Sequence, residues 1–247
     1  MASGEARKLH KSNKLPCIIV DRYGRPYWSD MWDGLPYIVK RAGGQNVNRL
    51  QNGPGVRPYI AGKTVNNWTW RKYTPTPAEI VFTAEEKAFA EPYRGMVMIE
   101  PSVKNIGHTN KAWIADRWLA VSYARSDFVQ CLPPGESSFL SLSGVRRVVT
   151  PTFRHAAAVL SVCRAYVGTE GGLHHCAAAV GTPAVVIFGG FISPAVTGYA
   201  THSNLFTGTG LGCGSRLDCA HCRKAMENIT VDQVVAELEK LLNVQAM

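Results

Sequence analysis

The chain has 247 residues, 46% hydrophobic and 18% charged, which is enough to bury a full core and too apolar for a disordered polymer. Its net charge of +9 favours anionic partners, among them nucleotide sugars, acidic lipid headgroups and nucleic acid, without choosing between them. The longest apolar runs, near Ala177 to Phe188, are broken by Gly and Pro short of the ~20 residues a membrane span needs, so no transmembrane helix is expected, while peripheral membrane contact stays open.

Residues 1–15 are basic and polar, with Lys8, Lys11 and Lys14 and no apolar core of a secretory signal. They read as a flexible tail on a cytoplasmic protein. Seven scattered cysteines, an odd count, suggest reduced thiols rather than a disulfide framework. Cys17–Val20 is a short strand candidate, and Tyr37–Val39 and Pro58–Ile60 are two more. Between them lie loops rich in aromatics and glycine, including Tyr27, Trp28, Trp32 and Asn52-Gly-Pro-Gly55. With Trp68 and Trp70, these aromatics suit stacking on a sugar or nucleobase and equally suit packing of a region short of aliphatic core.

From residue 95 strands and helices alternate. Thr83 and Glu86 have the capping-box spacing for a helix ending near Ala90. A buried strand at 95–101 is followed by a helix around 113–123, strands at 128–132 and 145–149, a helix at 153–163 and a strand at Tyr166. Such alternation predicts a doubly wound parallel sheet. The stretch Gly168-Thr-Glu-Gly-Gly172 then turns the chain sharply into an alanine-rich helix over 173–180. The free N–H groups and positive dipole end of that helix favour an anion at the turn. Gly181-Thr-Pro183 stops the helix before a strand at 184–188, and a final helix spans 231–242. Pro101-Ser-Val-Lys104, with Lys111 beyond it, forms a second polar turn at a strand's carboxyl end.

Val167-Gly-Thr-Glu-Gly-Gly-Leu-His-His-Cys-Ala-Ala-Ala resembles the motif of the family 9 glycosyltransferases, whose best-known members are heptosyltransferases of lipopolysaccharide assembly. Glu170 stands where many members have Asp, the glycines fall on Gly171 and Gly172, and the motif histidine on His175. Lys111-Ala-Trp113 is similar to the family's lysine just before a tryptophan. Cys213, Cys219, Cys222, Met226, Ile229 and Val234 follow its closing pattern. The resemblance runs from about Gly95 to the C-terminus.

It implies a GT-B-like α/β fold: a Rossmann-type parallel-sheet C-terminal domain (95–247) binding a nucleotide sugar, and a reduced N-terminal α/β domain on the acceptor side (16–94). It further implies inverting, metal-independent transfer to a saccharide or lipid-linked acceptor, with no cofactor. Ser102, Lys104, Lys111, Glu170, Gly171, Gly172 and His175 are the expected donor-site residues, with Lys111 stabilising charge on the departing diphosphate. The structural alternatives are a ligand-free turn at the glycines, a solvated lysine, a helix-terminal glutamate and a satisfied histidine, the last being preferred for His174. The family's glycine-rich first loop with its acidic base has no counterpart after the Cys17 strand. Asp21, Asp30 and Asp33 are the carboxylates left as candidate bases, against a turn-capping role for each. Cys213, Cys219, His221 and Cys222 offer a zinc set in principle. The spacing is not that of a zinc ribbon, however, and His221 sits between two ligands, so no metal is expected. A degenerate nucleotide-sugar-binding module and a transferase acting on nucleic-acid bases are the alternative functions.

Overall fold

The structure, a computed structural model, describes residues 1–53, 56–103, 109–135 and 140–244. Its first element is a helix where the composition suggested a loose tail: α1 (Ala2–Asn13), with Ser3, Gly4 and Ala6 buried. Small residues make that face, so the backbone itself approaches the neighbouring chain. A Cβ at Gly4 would stand 2.3 Å from the Thr76 carbonyl oxygen. The helix packs on a two-stranded parallel sheet, β1 (Cys17–Val20) with β2 (Asn48–Gln51). The strand expected at Tyr37–Val39 reduces to one bridge, Cys17 to Ile38. Ala6, Cys17, Ile19, Trp32, Leu35 and Tyr37 make a small core of their own here.

A second pair, β3 (Ile60–Lys63) and β4 (Trp68–Trp70), is antiparallel. Pro58 has no N–H to donate, and β3 begins only at Ile60. Helix α2 (Ala84–Ala90) carries the full capping box, with Thr83 Oγ1 accepting from Glu86 N and the Glu86 carboxylate accepting from Thr83 N.

The rest is the alternating unit. β5 (Val97–Glu100), α3 (Ala115–Tyr123), β6 (Phe128–Leu132), β7 (Arg146–Val149), α4 (Phe153–Val162), β8 (Ala165–Thr169), α5 (Gly172–Val180), β9 (Ala184–Ile187), α6 (Pro194–Thr197), β10 (His202–Leu205), α7 (Ala220–Glu227) and α8 (Val231–Val244) follow in order. Six strands form one parallel sheet, ordered β10-β9-β8-β5-β6-β7. Alternate residues feed opposite faces. Met98, Val129, Tyr166 and Val186 meet α4 and α5, while Val97, Ile99, Val167 and Val185 meet α3 and α8.

The chain runs outward from β5 to β7 and then returns to β8 on β5's other side. Crossovers therefore diverge between β5 and β8, which opens a crevice at their carboxyl ends. Gly168 lies near the end of β8, where a Cβ would stand 2.1 Å from the hydroxyl of Tyr166 on the same strand and 3.1 Å from Glu100 O on β5, so glycine leaves room for the Tyr166 ring against its own strand.

The two parts are clamped by a buried ion pair. Arg154 on α4 meets Glu86 on α2, both under a tenth exposed, and also donates to the carbonyls of Asp30 and Val81.

Candidate functional site

The crevice holds the glycine turn. Thr169 ends β8, Glu170 N donates to Ile187 O at 3.0 Å, and Gly171 caps α5 with no side-chain hydrogen bond of its own. The N–H groups of the helix's first turn therefore point out of the turn without carbonyl partners, a disposition that attracts anions. Gly171 has extended backbone, and a Cβ there would meet nothing nearer than Thr169 O at 3.9 Å. The fold does not need glycine at this position, whereas a ligand lying against the turn would.

Lys111 is delivered by the turn Thr109–Lys111, and its ammonium is ion-paired to the Glu170 carboxylate across 59 residues of sequence. Asn110 anchors that turn, donating from Nδ2 to Ser215 O at 2.7 Å and Leu217 O at 2.8 Å. Phe191 supplies an aromatic ring 5.0 Å from Lys111 Nζ. Glu170 is 6% exposed. Burial, the largest single influence, pushes its carboxyl upward, but the Lys111 charge and hydrogen bond together with its other polar neighbours outweigh this and hold it below the usual carboxylate range.

His175 Nε2 lies 3.9 Å from Glu170 Oε1, and its Nδ1 faces Tyr199 Oη at 3.1 Å. Burial first, then nearby positive charge, drives the His175 imidazole well below its ordinary range. His174 is fully enclosed among the rings of Phe188, Tyr199 and His202. The site thus sets an ionised carboxylate, paired with Lys111, beside two imidazoles that burial holds in the neutral form.

Two adjoining cavities open here and share Arg57 and Tyr59. One, of about 280 Å³, is lined by Arg57, Lys63, Trp68, Trp70, Lys111 and Glu170 among others. The other, of about 420 Å³, takes in Gly171, Gly172, His175, Tyr27, Trp32 and Glu79 among its walls. Burial tends to raise the Glu79 carboxyl, but the Tyr37 hydroxyl, donating at 2.7 Å, and the Arg7 guanidinium keep it lowered.

Of the expected residues, Lys111, Glu170, Gly171, Gly172 and His175 converge on this site. Ser102 lines neither cavity, and its N–H donates to the Glu100 carboxylate at 2.7 Å. Lys104 lies outside the described residues. The three candidate bases are occupied elsewhere. Asp21 closes its own turn, accepting from Tyr23 N, Arg25 N and Arg25 Nε. Asp30 accepts from Ser29 Oγ, and Asp33 from Trp28 Nε1 at 3.0 Å. None of them lines either cavity.

Sequence reasoning missed Arg57, Tyr59 and Glu79, which reach the site through tertiary packing. Their only local signal was a cation just past the glycine-rich loop at 52–55.

Residues 148–228 match the family model for glycosyltransferase family 9 (heptosyltransferase). No curated protein matches the chain. Among solved structures, ADP-heptose LPS heptosyltransferase II of E. coli is 19% identical, with a TM-score of 0.52 over 68% of this chain and 54% of that one. A family 9 glycosyl transferase from Veillonella parvula is 17% identical, with a TM-score of 0.51 over 69% and 55% respectively. The chain thus spans about half the length of these structures. The matches show a reduced GT-B-like fold, and residues 148–228 are similar to family 9, within the stretch from Gly95 onward that carried the resemblance.

Proposed function

We propose that this family 9-like chain moves a sugar from a nucleoside diphosphate sugar to an acceptor hydroxyl, with inversion and without a metal at the reacting centre. The observation that carries the reading is the meeting of Lys111 with Glu170 at the open N-terminus of α5, with Arg57 and Lys63 in the same cavity. As the bond from the anomeric carbon to the diphosphate oxygen breaks, negative charge grows on the leaving group. Lys111 and the N–H groups of the α5 turn stabilise that charge. Glu170 orients Lys111 and neutralises it until the diphosphate arrives.

The acceptor oxygen attacks from the opposite face, and its proton passes to a carboxylate. Glu79 is our assignment for that base. It lines the cavity that also holds Gly171 and His175, and Tyr37 and Arg7 keep it ionised. The acceptor is a saccharide or lipid-linked glycan, gripped by aromatic walls that include Tyr27, Trp32, Trp68 and Trp70, in the cytoplasm. Among the described residues no helix is long and apolar enough to cross a membrane.

The displacement of Asp21, Asp30 and Asp33 from the cavities favours a second reading, a module that binds the donor without turning it over. One experiment separates the two. Wild type and Glu79→Gln are offered a panel of nucleotide sugars and glycan acceptors, and nucleoside diphosphate release is followed with and without added Mg²⁺. Transfer indifferent to Mg²⁺, with a fall in kcat of about 10²–10⁴ in Glu79→Gln and unchanged donor affinity, supports the enzyme. Donor binding without release in wild type supports the module. Salt-sensitive binding to DNA or RNA would move the acceptor to nucleic acid.

A further inference from the structure

Beside the Trp68 hairpin lies a cluster that sugar transfer does not use. Cys213, Cys219, His221 and Cys222 each place one ligating atom within 4.8 Å of the others. Cys213 Sγ stands 3.8 Å from Cys219 Sγ and 3.0 Å from Cys222 Sγ. Thiolates on a tetrahedral zinc ion, with bonds of about 2.3 Å, lie roughly 3.8 Å apart. One pair already has that spacing, and the other must open by less than an ångström.

The backbone favours negative charge at two of these sulfurs. Ser215 N–H donates to Cys213 Sγ at 3.4 Å. Sulfur in a neutral thiol is a weak acceptor, so an N–H two residues onward suits a thiolate. Cys219 is also the N-cap of α7, whose dipole favours an anion there. Three thiolates this close would need a cation among them.

We propose that Cys213, Cys219, His221 and Cys222 bind one thiophilic divalent ion, zinc by the character of the ligands. The spacing in sequence argued against a metal, but the fold removes that objection. Cys213 is held on the loop preceding α7 by Cys213 N donating to Gly190 O at 3.0 Å, while the first turn of α7 brings the other three residues to it. Four protein ligands fill a tetrahedral shell and leave no position for a substrate, so the ion is structural.

Its place in the fold gives it a consequence. The loop from Cys213 to Cys219 carries two walls of the first cavity. Trp68 N donates to Gly214 O at 2.9 Å, Gly214 N donates to Phe191 O at 3.0 Å, and Asn110, next to Lys111, donates to Ser215 O and Leu217 O. An ion at the cysteines fixes that loop, and through it the Trp68 hairpin and the turn carrying Lys111. The metal site itself stands apart from the proposed transfer. Only this positioning role rests on it.

The test uses the full chain, purified with reductant and without chelator. Elemental analysis is expected to find one zinc per chain. After the metal is stripped, cobalt(II) titration should saturate at one equivalent, with thiolate charge-transfer absorption and the intense visible bands of tetrahedral cobalt. Cys219→Ser puts a favoured helix-capping residue at the N-cap of α7 and so preserves the fold, checked by circular dichroism, and should lose cobalt affinity by roughly 10–100-fold or more. His221→Ala should shift the visible bands. A folded chain that gives no such bands, bands unaffected by Cys219→Ser, or an isolated protein that is metal-free with a Cys213–Cys222 disulfide would each overturn the proposal.

Discussion

Residues 95–244 and residues 1–94 are ordered by different means. The first region holds itself together, with six parallel strands covered on both faces by helices, so backbone ladders and two apolar clusters coincide. The second has two isolated strand pairs and two helices, of twelve and seven residues, and much of its apolar surface is spent on the other region. Trp70 packs into the main cluster and donates from Nε1 to Phe191 O at 2.9 Å. The lesson is one of dependence: the N-terminal region supplies Arg57, Tyr59, Glu79 and the tryptophans to the cavities, and its placement follows from contacts with the sheet domain.

The Arg154–Glu86 clamp is the sharpest place to break that dependence. Arg154→Met strands a buried carboxylate and removes the donors to Asp30 O and Val81 O, with an expected loss of about 3–5 kcal/mol in urea denaturation. Replacing Glu86 as well should recover much of that loss. If the single variant costs nothing, the clamp does not join the two regions.

Within the sheet domain, burial raises the Glu100 carboxyl to about 7. The folded chain then keeps a proton that the unfolded chain releases above its ordinary value of 4.5, so this group's contribution to stability falls as pH rises from there through 7. Glu100→Gln should therefore gain stability over wild type across that window, by up to ~3 kcal/mol at pH 8. His202 acts in the opposite sense. Burial lowers it to about 4, and the stability of its neutral form is lost as pH falls from ordinary histidine values toward that figure. Comparing Glu100→Gln with wild type at each pH cancels the histidine effect, and a difference independent of pH would contradict the assignment.

A smaller effect is expected at the seam. Trp70→Phe keeps most of the packing and removes the indole donor to Phe191 O, which still accepts from Gly214 N, at a cost of roughly 0.5–1.5 kcal/mol. The first cavity should suffer more than the sheet, with loss of ligand affinity exceeding the change in sheet protection measured by hydrogen exchange.

The same division governs what the sequence made legible. Phe128–Leu132 and the Thr83 capping box follow from local pattern, and the strands and helices from 153 to 188 from apolar period and Gly-Pro punctuation. Helix α1 did not, because Ser3, Gly4 and Ala6 form a face of small residues that hydrophobic periodicity does not register, while Lys8, Lys11 and Lys14 suggest solvent. Helix α7 was missed for a similar reason, burying only Cys222, Ala225 and Met226. The edge strand β10 carries Ser203 and Asn204 at its centre. In the site, the motif located Lys111 and Glu170 separately, but their pairing is tertiary. Of the bases proposed from the sequence, Asp21 caps the turn after its strand, which an aspartate does as readily as it serves chemistry, while Asp30 and Asp33 accept from Ser29 and Trp28 side chains beside them.

The central claim, that the α5 turn binds a diphosphate, is tested most directly by two glycines of one turn. Gly168→Ala would press a Cβ against the Tyr166 hydroxyl, whereas Gly171→Ala puts it into open space. Nucleotide sugars and free nucleoside diphosphates are titrated calorimetrically against wild type and both variants, with thermal unfolding in parallel. We expect Gly171→Ala to unfold like wild type yet bind at least tenfold more weakly, roughly 1.4 kcal/mol, and Gly168→Ala to lose ~1–3 kcal/mol of stability. Unchanged nucleotide affinity in a well-folded Gly171→Ala, or no binding by wild type, would contradict the account.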